Sequence, residues 1–235
     1  MISFEAIGGI LREKSDIEVH RTLNSGNRLF EVNKWNISAF LIKKVIGLVG
    51  IHPYPMDELM LMVSACIVFR PELIIEWGTN VGKSARVFYE TVRHYRIKSE
   101  IVSIDLPIHV THPENVKRRR AKYIKRKKVS LLLGDGAEIA AKVVKERSQS
   151  LNGYILYFLD GEHSYETVKR EIGTLYMIYP KTIFLVHDTF FQREWSNYNI
   201  GPFKAVENFI KNHSDWKTVA CTTGLPGMTL VYKNG

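Results

Sequence analysis

The sequence has few cysteines and lacks long hydrophobic runs. Its two cysteines, Cys66 and Cys221, lie far apart and form no CxxC pattern, which excludes a disulfide framework and a zinc ribbon and indicates a reducing compartment. The most apolar runs, residues 60–69 and 154–159, are much shorter than the roughly 20 residues that a membrane span needs. The N-terminal stretch contains charges and no small-residue cleavage site, so it does not resemble a secretory signal. We therefore expect a cytoplasmic protein that does not span a membrane.

Acidic residues are in the minority, but the imbalance is local. The chain has 33 Lys and Arg residues against 24 Asp and Glu residues, a net charge of +9. Residues 117–128, KRRRAKYIKRKK, contain nine basic residues and no acidic one, which leaves 24 of each sign elsewhere. A helical interpretation of residues 113–127 offers only Val116, Tyr123 and Ile124 as apolar anchors, so we expect a solvated basic helix. Such a segment can steer an anionic substrate or bind nucleic acid.

The order of apolar patterns predicts an α/β domain over residues 56–235, preceded by an N-terminal helical extension over residues 1–55. The extension contains short helical patterns and no convincing strand. Helical patterns then alternate with β-branched runs, which indicates a doubly wound parallel sheet covered on both faces. The last two runs are separated only by GLPG, too short for a crossover helix, so the final strand should be antiparallel. The predicted strands are residues 73–77, 101–105, 129–133, 154–160, 182–188, 216–223 and 228–233.

A glycine-containing turn follows the first of these strands, in the segment EWGTNVGKS (residues 76–84). Its G-x-x-x-G spacing lacks the GxGxxG pattern of dinucleotide-binding oxidoreductases. It also falls one residue short of a Walker A loop, and Glu76 would place an anion beside the phosphates of a nucleoside triphosphate. A ligand with a cationic amine and a ribose fits better, because an acid at the strand end can then bind it.

Two further acids follow the next two strands. Asp105 ends the second strand, where it can accept hydrogen bonds from ribose hydroxyls, and Asp135 follows the third. Because the carboxyl ends of parallel strands meet at one edge, Glu76, Asp105 and Asp135 should face the crevice in which open α/β sheets bind ligands. The alternative for Asp135 is a structural one, as the N-cap of the helix that follows.

The ordered set E-x-G-x-x-x-G, Asp and G-D-G resembles the cofactor site of class I S-adenosylmethionine-dependent methyltransferases. The resemblance implies a Rossmann-like, doubly wound, seven-stranded sheet and covers residues 72–233. It implies that Asp105 binds the ribose of S-adenosylmethionine and that Asp135 and Gly136 lie at the adenine. The residues that it places around the methionine part are Glu76, Gly78, Thr79, Asn80, Gly82 and Ser84.

A second constellation follows the fourth and fifth strands, which end in Asp160 and in His187-Asp188. Two carboxylates at adjacent strand ends would repel each other unless a divalent cation lies between them. Carboxylate oxygens with one imidazole suit Mg²⁺ or Mn²⁺, so these three residues are candidate metal ligands. The alternative is that Asp160 caps the next helix and that His187 packs without binding anything.

The phrases DGEHSYE and HDT resemble the metal-dependent O-methyltransferases of the cephalosporin hydroxylase and macrocin O-methyltransferase type. The resemblance implies that Asp160 is the first metal ligand and takes part in catalysis, and that His187 and Asp188 occupy the following ligand pair. His187 departs from those relatives, which have Asp or Glu there. The motifs also resemble, more distantly, the catechol and caffeoyl-CoA methyltransferases, which have a lysine base three residues after the first metal aspartate. This chain has His163 at that position, and we predict that His163 is the general base. His163 could alternatively stack on adenine or cap a helix.

We therefore expect an S-adenosylmethionine-dependent and Mg²⁺- or Mn²⁺-dependent O-methyltransferase that acts on a hydroxyl of a small molecule, of sugar or natural-product type. One alternative is a methyltransferase that binds RNA or another nucleic acid through residues 117–128. Another is a binding-only protein that has kept the fold and lost catalysis. The apolar N-terminal helices are candidate surface for a homo-oligomer.

Overall fold

The computed structural model describes residues 19–21, 28–30, 32–107, 109–110, 120–125, 127–191, 199–221 and 224–233. The strands are β1 (Val19–Arg21), β2 (Arg28–Phe30), β3 (Leu73–Trp77), β4 (Glu100–Asp105), β5 (Ser130–Leu133), β6 (Ile155–Leu159), β7 (Thr182–His187), β8 (Trp216–Cys221) and β9 (Met228–Lys233). The helices are α1 (Lys34–Phe40), which continues as a π-helical stretch (Leu41–Ile46) and a last turn (Gly47–Val49), then α2 (Met56–Phe69), α3 (Lys83–His94), α4 (Gly136–Arg147), α5 (Tyr165–Leu175) and α6 (Gly201–Asn212).

The main sheet has seven strands in the order β5-β4-β3-β6-β7-β9-β8. Strands β3 to β7 are parallel, whereas β9 is antiparallel to both β7 and β8. The predicted doubly wound sheet with an antiparallel last strand is therefore confirmed. The chain passes from β3 to β4 and β5 in one direction along the sheet, and from β6 to β7 in the other. A crevice therefore opens between β3 and β6 at their carboxyl ends.

Alternation along the central strands divides the core between the two faces of the sheet. Ile74, Leu156 and Phe158 belong to the cluster that contains the buried residues of α2 and α3. Ile75 and Tyr157, one residue out of phase, belong to the cluster that contains those of α4, α5 and α6. Because successive side chains of a strand point to opposite faces, a sheet covered on both sides buries every residue of its central strands, as in LIIEW and ILYFL.

The N-terminal region differs in part from the expectation. We predicted no strand in residues 1–55, and this is wrong, because β1 pairs antiparallel with β2 through Val19 and Phe30. The expected helical character is present in α1 and its continuation, whose buried residues include Phe40 and Val45. These side chains pack in the same core cluster as α2 and α3.

In its described residues, the basic segment forms a turn and not the solvated helix that we expected. Residues 120–123 form a turn, and Ala121 and Ile124 are buried. Backbone hydrogen bonds from Ala121 N to Asn80 O (2.8 Å) and from Tyr123 N to Val81 O (3.0 Å) hold this turn on the glycine loop. These tertiary bonds replace the intrahelical ones that the helical interpretation required. Residues 111–119, including Val116, lie outside the described residues.

Among the described residues, no helix combines the length and the apolar character that crossing a bilayer requires.

Candidate active site

A cleft of about 1030 Å³ lies at the carboxyl ends of β3 to β7. It brings together residues that the sequence analysis selected from five separate strand ends. The selected residues that line it are Gly78, Thr79, Asn80, Gly82, Ser84, Asp105, Asp135, Gly136, Asp160, His163, His187 and Asp188. Glu76 is the exception, since it lies behind the cleft wall and is almost completely buried.

The glycine loop turns through three residues with positive φ. Gly78 has φ +86°, Asn80 φ +43° and Gly82 φ +82°. Position 78 requires glycine for a second reason, because a Cβ there would overlap the backbone carbonyl oxygen of Asp160. The close approach of β3 and β6 at this point brings the loop beside the acidic residues that end β6 and β7. The Thr79 hydroxyl fixes the loop to β4 through bonds to Ser103 Oγ (2.7 Å) and Ile104 O (3.0 Å).

Glu76 is buried under this loop. Its Oε1 accepts a hydrogen bond from Ser103 Oγ at 2.5 Å. Burial raises the pKa of Glu76 to about 7, although the hydrogen bond from Ser103 opposes that rise. Glu76 Oε2 is also buried and has no hydrogen-bond partner within the described part of the chain, so this oxygen is available as an acceptor close to the loop.

Asp105 at the end of β4 is held by the basic segment. Arg120 Nε lies 2.9 Å from Asp105 Oδ2, and Asp105 Oδ1 accepts the N–H of Leu106 at 2.9 Å. Both side chains of the ion pair are about five-sixths buried. Sequence analysis identified the acid and the basic segment separately and did not predict that they meet.

Asp135 is the N-cap of α4, as the structural alternative supposed. Its Oδ1 accepts the N–H of Glu138 at 3.1 Å, while Oδ2 binds Arg170 at 2.8 Å. Burial alone would raise the pKa of Asp135, but the bonds from Arg170 and Glu138 lower it. Although Asp135 caps α4, it still lines the cleft, as does the next residue, Gly136. Gly136 lies against the indole ring of Trp77, so a Cβ there would come within 2.5 Å of Cγ.

Glu171 is a buried acid in the same wall that sequence analysis did not identify. Its Oε1 accepts the indole N–H of Trp77 at 2.8 Å. Burial raises the pKa of Glu171 to about 8, and the bond from Trp77 only partly opposes this. Glu171 lies three residues after Val168 and four before Leu175, on the buried face of α5, and this helical spacing was the signal that could have identified it.

The stability of the fold should decrease as Glu171 ionises. The folded pKa of about 8 exceeds the ordinary 4.5, so the stabilising contribution is complete below about pH 4.5 and is lost as the pH rises through about 8. In urea titrations between about pH 5 and pH 9, wild type should lose at least about 1 kcal/mol more of its free energy of unfolding than Glu171→Gln. The exposed Glu166→Gln is the matched control, and a variant at 171 that follows the wild-type curve would contradict the assignment.

The acidic cluster at the ends of β6 and β7 consists of Asp160, His187 and Asp188. His187 Nδ1 lies 2.9 Å from Asp160 Oδ1 and 3.6 Å from Asp188 Oδ1. Asp188 has φ +57°, an uncommon conformation for a residue with a side chain. These three side chains were selected as candidate metal ligands, and the fold brings them together.

Two residues that sequence analysis did not identify complete the cluster. The Tyr54 hydroxyl donates to Asp160 Oδ2 at 2.5 Å, and Glu58 Oε2 lies 3.1 Å from His187 Nε2. Both come from the segment around the start of α2, more than 100 positions before their partners. Only the fold joins them to the cluster, although an acid in the first turn of an apolar helix, MDELMLM, was a weak signal.

His163 faces the cleft beside this cluster. Its Nδ1 lies 3.0 Å from Asp188 Oδ2, and its Nε2 lies 4.0 Å from Asp160 Oδ1. The N-cap of α5 is Ser164, whose Oγ accepts the N–H of Thr167, so His163 does not cap the helix. A carboxylate that holds one nitrogen of an imidazole leaves the other nitrogen to exchange a proton, as in catalytic triads.

The cluster has a strong negative field. Burial alone lowers the pKa of His187, but Asp160, Glu58 and Asp188 together raise it well above its ordinary value. For Asp160, burial acts to raise the pKa, and the imidazoles of His187 and His163 lower it overall. This field favours any cation, whether a proton or a metal ion.

No group of three or more His, Cys, Asp and Glu side chains in the described part of the chain is arranged to hold a metal ion. The metal ligands inferred from the sequence therefore stay a prediction.

Residues 44–225 match the model of the family described as Rhamnosyl O-methyltransferase/CmcI. The match covers most of the chain. The chain belongs to this family. Membership of the rhamnosyl O-methyltransferase/CmcI family confirms the resemblance to S-adenosylmethionine-dependent O-methyltransferases that the two constellations indicated, and it makes the chain an O-methyltransferase.

Solved structures of methyltransferases share the fold of this member of the rhamnosyl O-methyltransferase/CmcI family. An O-methyltransferase from Bacillus cereus, in complex with SAH, is 13% identical over 87% of this chain and 93% of its own, with a TM-score of 0.53. A methyltransferase from Geobacter sulfurreducens is 16% identical over 88% and 91%, with a TM-score of 0.51. CalS11, a TDP-rhamnose 3'-O-methyltransferase of calicheamicin biosynthesis, is 16% identical over 83% and 86%, with a TM-score of 0.51. No curated protein matches the chain significantly in sequence.

Proposed function

We propose that this protein transfers the methyl group of S-adenosylmethionine to a hydroxyl of a small molecule of sugar or natural-product type. The observation that supports this best is the cleft at the strand ends, which is lined by all but one of the residues selected for cofactor binding and catalysis. The loop from Gly78 to Gly82 would bind the methionine part, Asp105 the ribose, and Asp135 with Gly136 the adenine. Glu76, whose buried Oε2 has no hydrogen-bond partner among the described residues, would act on the methionine end from behind the loop.

His163 is the general base of the proposed reaction. With Nδ1 held by Asp188, its Nε2 takes the proton of the acceptor hydroxyl. The acceptor oxygen forms a bond to the methyl carbon in line with the sulfonium sulfur, and the carbon–sulfur bond breaks with its electron pair on sulfur. The products are the methyl ether and S-adenosylhomocysteine, and the proton remains on His163 until it passes to solvent.

The acidic cluster contains oxygen and imidazole donors of the types that bind divalent cations, although no group of the described side chains is arranged to hold one. His187 Nδ1 lies 2.9 Å from Asp160 Oδ1 and 3.6 Å from Asp188 Oδ1, so these three atoms approach one another. We propose that Asp160, His187 and Asp188 are the residues that would hold Mg²⁺ or Mn²⁺. When bound, such an ion would make the acceptor hydroxyl more acidic as a Lewis acid.

A sugar-type acceptor is supported by the family description and by the substrate in the printed name of CalS11. The nucleic-acid alternative is not favoured. Its expected basic helix is a turn where described, and Arg120 binds Asp105 inside the cleft instead of facing a phosphate backbone. Self-association through the N-terminal helices stays a prediction, which the exposed side chains of Trp35, Ile42 and Leu48 support.

Calorimetry with S-adenosylhomocysteine tests the cofactor site, because this product binds without turnover. Wild type should bind it, and Asp105→Asn should bind it at least about tenfold more weakly, since a charge-assisted bond to the ribose is lost. Asp215→Asn removes a surface acid far from the cleft and serves as the control. Undetectable binding to wild type would overturn the proposed function. Methyl transfer to TDP-rhamnose and related hydroxylated acceptors, measured as S-adenosylhomocysteine release, then tests the acceptor class.

A further inference from the structure

Glu171 is a buried acid in the cleft wall that takes no part in the proposed reaction. It lies on α5, lines the cleft and is 4% exposed. Its Oε1 accepts the indole N–H of Trp77 at 2.8 Å. No described residue bonds to Oε2. Because buried polar atoms in native proteins almost always have a hydrogen-bond partner, a bound ligand is a candidate partner for this oxygen.

The surroundings of Glu171 are those of the proposed adenine subsite. The indole of Trp77 lies against Gly136 and Gly161, and a Cβ would come within 2.5 Å of Cγ at the first and within 2.8 Å of Cδ1 at the second. Trp77 and both glycines line the cleft. Glu171 is therefore one indole ring away from Gly136, which the proposed function places at the adenine.

The groups around Glu171 favour its neutral form. A buried carboxyl whose hydrogen bond comes from a neutral indole lacks the opposite charge that a buried anion needs. Arg170, the neighbouring cation, binds Asp135 Oδ2 at 2.8 Å. Burial raises the pKa of Glu171 to about 8, and the charges of Asp135 and Glu162 add to this rise, whereas Trp77 and Arg170 oppose it. At neutral pH, Oε2 can therefore carry a proton and donate it in a hydrogen bond.

Adenine presents an acceptor that such a donor fits. In the proposed complex Asp105 binds the ribose, so the edge of the base farthest from the sugar would reach the wall at Glu171. That edge carries N1, which accepts hydrogen bonds, beside the amino group, which donates them. In hypoxanthine N1 carries a hydrogen, so the Oε2–H of a neutral Glu171 and the N1–H of the base would oppose each other.

We infer that Glu171 recognises the adenine of S-adenosylmethionine through a hydrogen bond from its Oε2 to N1 of the base. The inference rests on the cofactor site of the proposed function. It makes this site selective for adenine over a base that carries hydrogen at N1, and it gives the second oxygen of a buried acid a partner.

S-inosylhomocysteine, in which hypoxanthine replaces adenine, is the probe that tests this selectivity. Calorimetry near neutral pH should show that wild type binds S-adenosylhomocysteine at least about tenfold more tightly than S-inosylhomocysteine, because a buried donor without an acceptor is costly. The two ligands have the same ribose and amino acid, so the difference in affinity reports on the base alone.

Two variants at position 171 test the hydrogen bond itself. In Glu171→Gln the amide oxygen accepts from Trp77 and the amide N–H₂ faces the base, so affinity for S-adenosylhomocysteine should stay within about threefold of wild type. Glu171→Met is similar in length but has no donor. Its affinity should fall about tenfold, and its preference over S-inosylhomocysteine should decrease to less than about threefold. Glu166→Met, at an exposed position of the same helix, is the control.

The pH dependence of binding is a second measurement, which a merely structural role would not change. Wild type should lose affinity for S-adenosylhomocysteine as the pH rises through about 8, because an ionised Oε2 faces the lone pair of N1. The Glu171→Gln variant keeps every other titrating group of the cleft, so the part of this loss that it lacks belongs to Glu171. Thermal unfolding of all variants checks that they are folded.

Two results would overturn the inference. One is equal affinity of wild type for the two ligands, and the other is a Glu171→Gln variant that loses as much affinity as Glu171→Met. In both cases, binding of S-adenosylhomocysteine by wild type would leave the proposed function intact. If wild type bound neither ligand, the proposed function would fail together with the inference.

Discussion

Replacement of His163 by asparagine should lower kcat by about 10²- to 10⁴-fold, the usual contribution of a positioned general base. Asparagine can still donate to Asp188 Oδ2 from nearly the position of His163 Nδ1, so the carboxylate keeps its partner. What the variant lacks is Nε2, the atom that takes the acceptor proton in the proposed reaction. Steady-state rates with saturating S-adenosylmethionine measure the effect.

The specific prediction for His163→Asn is a loss in kcat without a loss of cofactor affinity. Calorimetry should give the same affinity for S-adenosylhomocysteine as wild type, because the loop from Gly78 to Gly82 and Asp105 are untouched. His109→Asn, at another histidine of the described chain that does not line the cleft, is the control. A kcat within threefold of wild type would remove His163 from the chemistry.

Gly78→Ala should damage both the fold and the cofactor site. The residue has φ +86°, which costs about 1–2 kcal/mol once a Cβ is present. The new Cβ would also overlap the carbonyl oxygen of Asp160, so β3 and β6 cannot keep their present separation at the strand ends. We expect the free energy of unfolding to fall by at least about 2 kcal/mol. Binding of S-adenosylhomocysteine should become undetectable.

The chain offers a matched control in Gly47→Ala. Gly47 is helical, and a Cβ there would meet no atom within 4 Å. Alanine is the better helix former, so this variant should be neutral or slightly more stable. Urea unfolding of both variants gives the comparison directly. If Gly78→Ala were as stable as Gly47→Ala and still bound S-adenosylhomocysteine, the close approach of the loop to Asp160 would have no consequence for the site.

The central sheet could be predicted because its signals are local. Strand β3 was placed at its observed bounds, since a β-branched run closed by Gly78 needs no tertiary information. The acids at strand ends were equally accessible, because parallel topology forces carboxyl ends to one edge.

The remaining parts of the site depend on contacts that no local pattern contains. Tyr54 and Glu58 meet their partners across 106 and 129 positions of sequence. Residues 120–123 have the composition of a solvated helix, yet their N–H groups bond to Asn80 and Val81 in the glycine loop. In the basic segment, tertiary hydrogen bonds override the local helical preference. For Tyr54 and Glu58, only the fold reveals the hydrogen-bond partner.

Glu58, which completes the acidic cluster, also accepts the backbone N–H of Gly227 at Oε1, and this bond bears on how the molecule folds. It spans 169 positions and ties the β8–β9 turn to the first turn of α2. The same turn accepts the N–H groups of Thr189 and Phe190 through Gly227 O and Pro226 O, so it also fixes the segment after β7. Contacts this distant in sequence carry a large loop-closure entropy and form after local ones. We therefore expect the acidic cluster to reach its final geometry late in folding, when the turn of the β8–β9 hairpin docks on α2 and on the segment after β7.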